Sequence, residues 1–178
     1  MISRTQKTVM LALMSAILVI AQVSLAVIPN VEFVSLLVIV YTLHVRKKVF
    51  YIIYTFVLIE GVIFGFGSWW VSYLYIWSLL AVAVLMLKEN KFTVVWALVS
   101  GVFGLVFGLL CGVPYLFAGG FSTFVSYWIS GIPFDIIHCM GNFLCTLVLF
   151  KPLSKAVCFI KVGDLFSIEK GSGKNRIQ

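Results

Sequence analysis

Four polar side chains lie where an otherwise apolar chain could bind a small molecule or move a proton. Asp135, His138 and Asn142 follow one another at spacings of three and then four residues, which places them on one face of a helix. Glu60 lies about 17 Å along a helix that begins at Val49, because each helical residue rises about 1.5 Å. Polar residues inside a membrane are energetically costly, so their presence indicates a function.

Each of these residues also has a purely structural interpretation. Asp135 could complement the dipole of a helix that begins at Pro133, and His138 could be a packed histidine that is hydrogen-bonded to Asp135. Asn142 could join two helices through a hydrogen bond. Glu60 is harder to explain in this way, because a lone carboxylate at that depth must pair, stay protonated or meet water. We therefore expect these four side chains to line a cavity that opens to the outside.

Aromatic residues crowd the segments near the same end of the expected helices. An interfacial belt explains tryptophan and tyrosine at a membrane surface, and it is the better interpretation for Trp69 and Trp70. The opposite side carries fewer such residues, so a belt alone does not explain the imbalance. Aromatic walls with a few converging polar groups are typical of a small-molecule pocket. The predicted ligand-binding residues are Glu60, Tyr73, Trp77, Tyr127, Trp128, Asp135, His138 and Asn142.

The composition indicates that these residues belong to a membrane protein. Of the 178 residues, 62% are hydrophobic and 11% are charged, whereas soluble domains are roughly 45–50% apolar and about 25% charged. The same composition excludes a disordered chain. One helical crossing needs about 20 residues, so the chain has room for at most about six or seven crossings.

Six transmembrane helices fit the apolar runs. They are predicted at 8–28, 32–45, 49–67, 71–87, 92–117 and 133–150. The segment 118–132 is predicted to be a loop, because glycines and a proline punctuate its ends. All 13 Lys and Arg residues fall in 1–7, 46–48, 88–91 and 151–178, which favours the cytoplasm for these parts. The sequence therefore predicts an all-α integral membrane protein: a six-helix substrate-binding bundle over 1–155, with both termini cytoplasmic, and a polar cytoplasmic tail over 156–178.

Other functional classes have little support in the sequence. The basic residues are clustered in connections rather than spread as in a nucleic-acid interface, and the four cysteines lack the spacing of a metal site. No hydrolase or protease motif is present. His44 and His138 lie at opposite faces of the membrane and cannot bind the same metal. The sequence predicts no catalytic residue, no cofactor, no metal site and no nucleic-acid partner.

Small residues at a spacing of four mark faces where helices can approach closely. In lipid, such close approach supplies much of the packing between helices. For the glycines we expect packing within the bundle. Ala12 and Ala16 are different, because they begin at the cytoplasmic end of the first helix, where a partner helix could dock. The glycines concerned are Gly61, Gly65, Gly104, Gly108 and Gly112.

Six helices, cytoplasmic termini, a length near 180 residues and the Ala12-x-x-x-Ala16 pair together resemble the substrate-binding S components of energy-coupling factor (ECF) vitamin transporters. The run RTQKTVMLALMSAILV is similar to the first helix of that family, and the resemblance covers residues 5 to 155. It implies a non-enzymatic subunit of the bacterial plasma membrane that binds a water-soluble vitamin at the outer end of the bundle. It also implies that Ala12 and Ala16 contact the membrane-embedded T component, which two cytoplasmic ATPases drive.

The chain departs from the family pattern in one respect. Many members cover the site with a long first loop, whereas only residues 29–31 join the first two predicted helices here. Gating would then fall to the third or the fifth loop. The vitamin stays open between a pyridoxine-type compound and a corrinoid. Two other functions also stay open: a tryptophan-rich sensory or porphyrin-binding membrane protein, and an autonomous proton-coupled carrier that uses Glu60.

Overall fold

The helices of the protein are joined by short connections. The computed structural model describes residues 4–25 and 32–159, and within them the regular structure is entirely helical. A single 3-10 turn, Arg46–Lys48, links the second and third helices. The α-helices are α1 (Arg4–Leu25), α2 (Val34–Val45), α3 (Val49–Phe64), α4 (Ser68–Met86), α5 (Thr93–Leu105) and α6 (Phe107–Phe159).

Three helical stretches are long and apolar enough to cross a membrane. They are Arg4–Leu25, Ser68–Met86 and Thr93–Phe159, of which the last combines α5 and α6. The prediction of an all-α protein with helices capable of spanning a membrane is confirmed at this level.

The protein has an apolar core, but its surface is also largely apolar and several polar side chains are buried. Asp135 and His138 are buried, whereas the side chains of Ile20, Val62 and Val148 are each more than 60% exposed. In water, such an arrangement would be unstable, because exposed apolar surface and buried polar groups both cost free energy. A lipid surround removes the first cost, and it favours polar groups that face the interior of the bundle.

The helix α2 lies at the centre of the bundle. It contacts α1, α3, α4, α5 and α6, and ten of its 12 residues are buried. Because α2 is surrounded on all sides, a polar residue at its first turn is also placed inside the protein.

The predicted loop at 118–132 is wrong in extent, because this segment is helical except at Gly120. The Gly120 backbone has φ 77° and ψ −178°, which is not helical, so the stretch named α6 consists of two helices that meet at Gly120 and pack against each other. Glycine adopts this conformation without the strain that a Cβ atom would cause. Pro133 lies inside α6 rather than in its first turn, since neighbouring helices and local adjustments allow proline within membrane helices.

The other helix boundaries are close to those predicted. The predicted helices 8–28, 49–67 and 71–87 correspond to α1, α3 and α4. The start of α3 is as predicted, the start of α1 and both ends of α4 differ by one to four residues, and α3 ends three residues earlier. The predicted fifth helix is divided between α5 and the part of α6 that precedes Gly120. The predicted connection 29–31 lies outside the described residues. Most of the predicted tail, 156–178, does so as well, and its first residues are the last residues of α6.

The glycine ridge of α5 and early α6 packs against the later part of α6. A Cβ atom added at Gly104 would lie 2.9 Å from the backbone carbonyl of His138. One added at Gly101 would lie 3.2 Å from the Cβ of Phe143, so the two segments run in opposite directions. This confirms the predicted packing within the bundle for the ridge. The same prediction of packing is wrong for Gly65, which ends α3 at φ 87° and has no atom within 4 Å of an added Cβ.

Candidate functional site

The polar stripe of α6 converges on a carboxylate at the start of α2. His138 Nε2 lies 3.2 Å from Glu32 Oε1, and Asn142 Nδ2 donates a hydrogen bond to the same oxygen at 3.2 Å. Asn142 Nδ2 also donates to Ser35 Oγ at 3.2 Å. These four residues, Glu32, Ser35, His138 and Asn142, form what we call the Glu32 network.

Local hydrogen bonds hold Glu32 against the first turn of α2. The Ser35 backbone N–H donates to Glu32 Oε2 at 3.3 Å, and the Ser35 hydroxyl donates to Glu32 Oε1. The first N–H groups of a helix lack partners within it and carry a partial positive charge, so a carboxylate is favoured there. The side chains of Glu32 and His138 are only 13% and 7% exposed. The buried charge is therefore stabilised by four kinds of donor: a backbone N–H, a hydroxyl, an amide and an imidazole.

Glu32 is not among the site residues predicted from the sequence. It lies at the predicted start of the second helix, where an acidic residue near a serine is typical of an ordinary helix cap. Its partners His138 and Asn142 are 106 and 110 residues away along the chain. The available signal was a carboxylate at the edge of a long apolar run, three residues before Ser35.

The Asp135 side chain caps the first turn of α6, at Gly108, and not the helical turn in which Asp135 itself lies. The Gly108 N–H donates to Asp135 Oδ1 at 2.9 Å, in the first turn of α6. Glycine is needed at this contact, because an added Cβ at position 108 would lie 2.5 Å from Oδ2. The interpretation that Asp135 complements the dipole of a helix beginning at Pro133 is wrong, because α6 is continuous through that region. The hydrogen-bond partner of His138 is Glu32 rather than Asp135.

An aromatic cluster connects the Glu32 network to α3, α4 and α5. The Phe107 ring meets the His138 ring edge to face, with centroids 4.9 Å apart. Trp77 is central: its ring lies 5.4 Å from Tyr73, 5.8 Å from Phe107 and 6.1 Å from Phe56. Two of the predicted aromatic residues, Tyr73 and Trp77, thus lie beside the polar stripe. We call Phe56, Tyr73, Trp77, Phe103 and Phe107 the aromatic cluster.

Glu60 lies at the same level of the bundle as Glu32. Glu60 lies about 18 Å from Lys48 along α3, and α2, which begins two residues after Glu32, is also about 18 Å long at a rise of about 1.5 Å per residue. Glu60 is 2% exposed, and among the described residues its Oε1 has no hydrogen-bond partner.

The two aromatic residues predicted from the segment 118–132 lie outside the aromatic cluster. Tyr127 stacks on Tyr115 with centroids 4.5 Å apart and an interplanar angle of 20°. Tyr127 is 37% exposed. Trp128 joins neither this pair nor the aromatic cluster. The structure therefore brings together Tyr73, Trp77, His138 and Asn142, and it separates Trp128 from them.

Several buried polar atoms around the network lack hydrogen-bond partners within the described part of the chain. An unpaired buried polar group costs about 1–3 kcal/mol, so these atoms need a partner of another kind, such as water or a ligand. No group of three or more His, Cys, Asp and Glu side chains that could hold a metal occurs within residues 4–25 and 32–159. The unpaired atoms are Glu60 Oε1, Trp77 Nε1, Ser100 Oγ, Asp135 Oδ2, Asn142 Oδ1 and Thr146 Oγ1.

The predicted partner-binding residues lie on a different part of the protein. Ala12 is exposed and Ala16 is partly buried. Ala12 lies in an open groove of about 630 Å³ between α1 and α3. Cationic side chains from both helix ends line this groove together with apolar ones. Its lining residues are Arg4, Lys7, Thr8, Leu11, Ala12, Lys48, Tyr51 and Thr55.

The helix α1 packs against α3 through a neighbouring face. Met14, Ser15 and Leu18 are its buried residues. The Ser15 hydroxyl donates to the Ile52 carbonyl oxygen at 3.2 Å, which joins the two helices. The position of Ala12 therefore leaves this small residue accessible from outside the bundle.

Comparison with known proteins gives no relative for this arrangement. No family model, no curated protein and no solved structure matches the chain. The functional argument therefore depends on the site itself.

Proposed function

We propose that the protein is the solute-binding subunit of a membrane transporter, similar to the S components of ECF importers. It binds a water-soluble vitamin or related micronutrient and carries it across the bacterial plasma membrane. The observation that carries this proposal is the Glu32 network, buried beside the aromatic cluster in a bundle with an apolar exterior. A purely structural membrane bundle has no need of a carboxylate hydrogen-bonded to a histidine and several unpaired polar atoms in its interior.

The proposal places six crossings in the bilayer with both termini in the cytoplasm. The short length of α2 then explains the depth of the site, because its 12 residues extend only about 18 Å at the usual helical rise. The hydrocarbon core is about 30 Å thick. With the basic turn Arg46–Lys48 at the cytoplasmic surface, Glu32 lies well below the outer surface, at the bottom of an outward-facing site.

Aromatic contact and desolvation would supply most of the binding energy of the vitamin. Tyr73, Trp77 and Phe107 offer ring surface, and the polar side chains fix the orientation of the ligand. Pockets with this combination are typical of small-molecule sites. We assign ligand contact to the residues of this interior and no catalytic step to any of them: Glu32, Glu60, Tyr73, Trp77, Asp135, His138 and Asn142.

In this proposal, partner proteins supply the energy for transport. Ala12 and Ala16 contact a T component in the membrane, and two cytoplasmic ATPases drive the complex. The accessible position of Ala12 beside an open groove supports this docking face, since small residues allow close approach of a partner helix. The three cationic side chains of the groove favour a partner with acidic residues near its cytoplasmic helix end.

The direct test is mass spectrometry of small molecules that are released from the purified protein. We expect one vitamin-like compound to be enriched in the wild-type protein and in the control His44→Ala. We expect it to be depleted in His138→Ala. If no compound is retained, and if none of the common water-soluble vitamins binds when added, the solute-binding function is wrong.

One observation favours a second candidate, an autonomous proton-coupled carrier. The Glu60 carboxylate is buried without a hydrogen-bond partner for Oε1 among the described residues, as expected of a group that takes up and releases a proton. Reconstituted vesicles that contain this protein alone distinguish the two functions. Uptake that depends on a proton gradient and is lost in Glu60→Gln would favour the carrier over the transporter subunit.

A further inference from the structure

We infer that the ligand of this site is an organic cation rich in hydrogen-bond donors, such as a protonated amine or an amino-substituted nitrogen heterocycle. This inference rests on the proposed solute-binding function and adds the chemical class of the solute. It follows from three properties of the interior: its charge, the kinds of unpaired atoms and the aromatic surface.

The interior of the bundle contains more acidic than basic groups. The carboxyl groups of Glu32, Glu60 and Asp135 lie inside it, and Glu60 and Asp135 are 2% and 5% exposed. His138 is the one basic side chain that is buried among the described residues. The lysines and arginines of this part of the chain lie at helix ends or in turns. An anionic ligand would therefore meet uncompensated carboxylates, whereas a cation would compensate them.

The unpaired atoms are mostly acceptors. Glu32 already receives donors on both oxygens, so it has little need of another. Glu60 Oε1, Asp135 Oδ2 and Asn142 Oδ1 have no donor among the described residues. Against these three acceptors stands one unpaired N–H donor, Trp77 Nε1, while the hydroxyls of Ser100 and Thr146 can donate or accept. A ligand that satisfies the four groups of fixed polarity donates more hydrogen bonds than it accepts.

The orientation of the Asn142 amide is determined by its neighbours. Its nitrogen lies 3.2 Å from Glu32 Oε1, and the opposite orientation would place the amide oxygen against the carboxylate oxygen. Two acceptors at that distance repel each other. Asn142 Oδ1 is therefore an acceptor that faces away from Glu32, and the shortage of donors does not depend on a choice of amide orientation.

The aromatic cluster adds a surface that attracts cations. Trp77 is 1% exposed, whereas Tyr73 and Phe107, whose rings lie 5.4 Å and 5.8 Å from it, are partly exposed. The face of an aromatic ring is negative, so a cation placed over it is attracted. Phe107 also contacts the His138 ring, which is hydrogen-bonded to Glu32. Aromatic faces and carboxylates thus occur together, as recognition of an organic cation requires.

The test compares compounds that share a ring and differ in charge. Pyridoxamine carries an ammonium group, pyridoxine is neutral and 4-pyridoxate carries a carboxylate, and their rings are otherwise alike. A second set comprises thiamine as a cation, riboflavin as a neutral compound, and biotin, pantothenate and nicotinate as anions. Binding to the purified full chain is measured by tryptophan fluorescence and titration calorimetry. We expect the tightest compound in the two sets to be a cation, by at least tenfold.

Variants of matched shape separate charge from folding. Glu60→Gln removes one carboxylate charge without changing the size of the side chain, and we expect it to lower the affinity for the bound cation at least tenfold. We expect a smaller loss for the neutral compound of the same ring. The control is Glu89→Gln, because the Glu89 side chain is 85% exposed. Thermal unfolding of each variant shows whether the fold is retained. Asp135→Asn is a second test if Glu60→Gln does not fold.

The outcomes distinguish this inference from the function on which it rests. Tightest binding of an anion or of a neutral compound would overturn the inference and leave the solute-binding function intact. Equal losses of affinity for the cation and for the neutral compound in Glu60→Gln would overturn it as well, because they would indicate that the Glu60 carboxyl group is protonated and neutral when it contacts the ligand. No binding by any compound, together with no ligand released from the purified protein, would overturn both.

Discussion

Replacing His138 with alanine removes two contacts at the centre of the proposed site. The imidazole is hydrogen-bonded to Glu32 Oε1 at 3.2 Å, and a hydrogen bond to a charged group contributes about 1.5–3 kcal/mol. Its ring also lies edge to face on Phe107 at 4.9 Å, a contact that contributes about 0.5–1.5 kcal/mol. The substitution therefore removes about 2–4.5 kcal/mol of interaction from the Glu32 network.

Only part of this loss will appear as lost affinity, because the same contacts also order the site without ligand. We expect His138→Ala to weaken ligand binding at least tenfold, which corresponds to about 1.4 kcal/mol. Glu32 keeps donors from Ser35 and Asn142, so we expect the bundle to stay folded. Titration calorimetry with the ligand identified by mass spectrometry measures the affinity, and thermal unfolding measures the fold.

The matched control is His44→Ala. His44 lies near the other end of α2, where its Nδ1 is hydrogen-bonded to the Val40 carbonyl oxygen at 2.8 Å. This variant removes the same side chain from the same bundle without touching the Glu32 network, and we expect wild-type affinity. If His138→Ala also binds with wild-type affinity, the Glu32 network is not part of the ligand site and the reasoning is refuted.

Three further predictions concern docking, packing and topology. We expect Ala12→Trp and Ala16→Trp to block co-purification with a T component and to spare ligand binding. Val23→Trp, at the far end of α1, is the control. Normal co-purification of both alanine variants would contradict the docking face. We expect Gly104→Ala to lower the melting temperature and the ligand affinity, because the added Cβ lies 2.9 Å from the α6 backbone. Gly131→Ala is the control and should change neither, since nothing lies within 4 Å of an added Cβ there. Equal melting temperatures of the two variants would refute the close packing. We expect cysteine labels at the two termini to be protected in intact cells, and labelling of one terminus alone would contradict an even number of crossings.

The polar stripe of α6 was predictable because it depends only on local spacing. Residues three and four apart share a helix face, so Asp135, His138 and Asn142 had to lie together if the segment was helical. The structure extends the same face to Thr146, which is also buried. The depth of Glu60 in the membrane stays a prediction from the helical rise, and the structure shows that this side chain is buried.

The predicted loop at 118–132 shows where local signals are ambiguous. Glycine and proline mark loops in soluble proteins, but membrane helices contain both more often. The chain turns back at Gly120, but the residues that follow continue as the next helix and not as a loop, which depends on what they pack against. That information is not contained in the local sequence.

The sequence by itself determined that the protein is helical, that its surface suits lipid, and which polar residues of α6 share a face. These properties follow from composition and from periods of a few residues, which need no knowledge of distant contacts. Only the tertiary structure decided that Glu32 is the partner of His138 and Asn142, because residues 106 and 110 positions apart meet only where helices pack. Close contacts at glycines place α5 against α6, and the burial of α2 among the other helices brings its first turn to the polar face of α6. The charged centre of the proposed site is thus a product of helix packing.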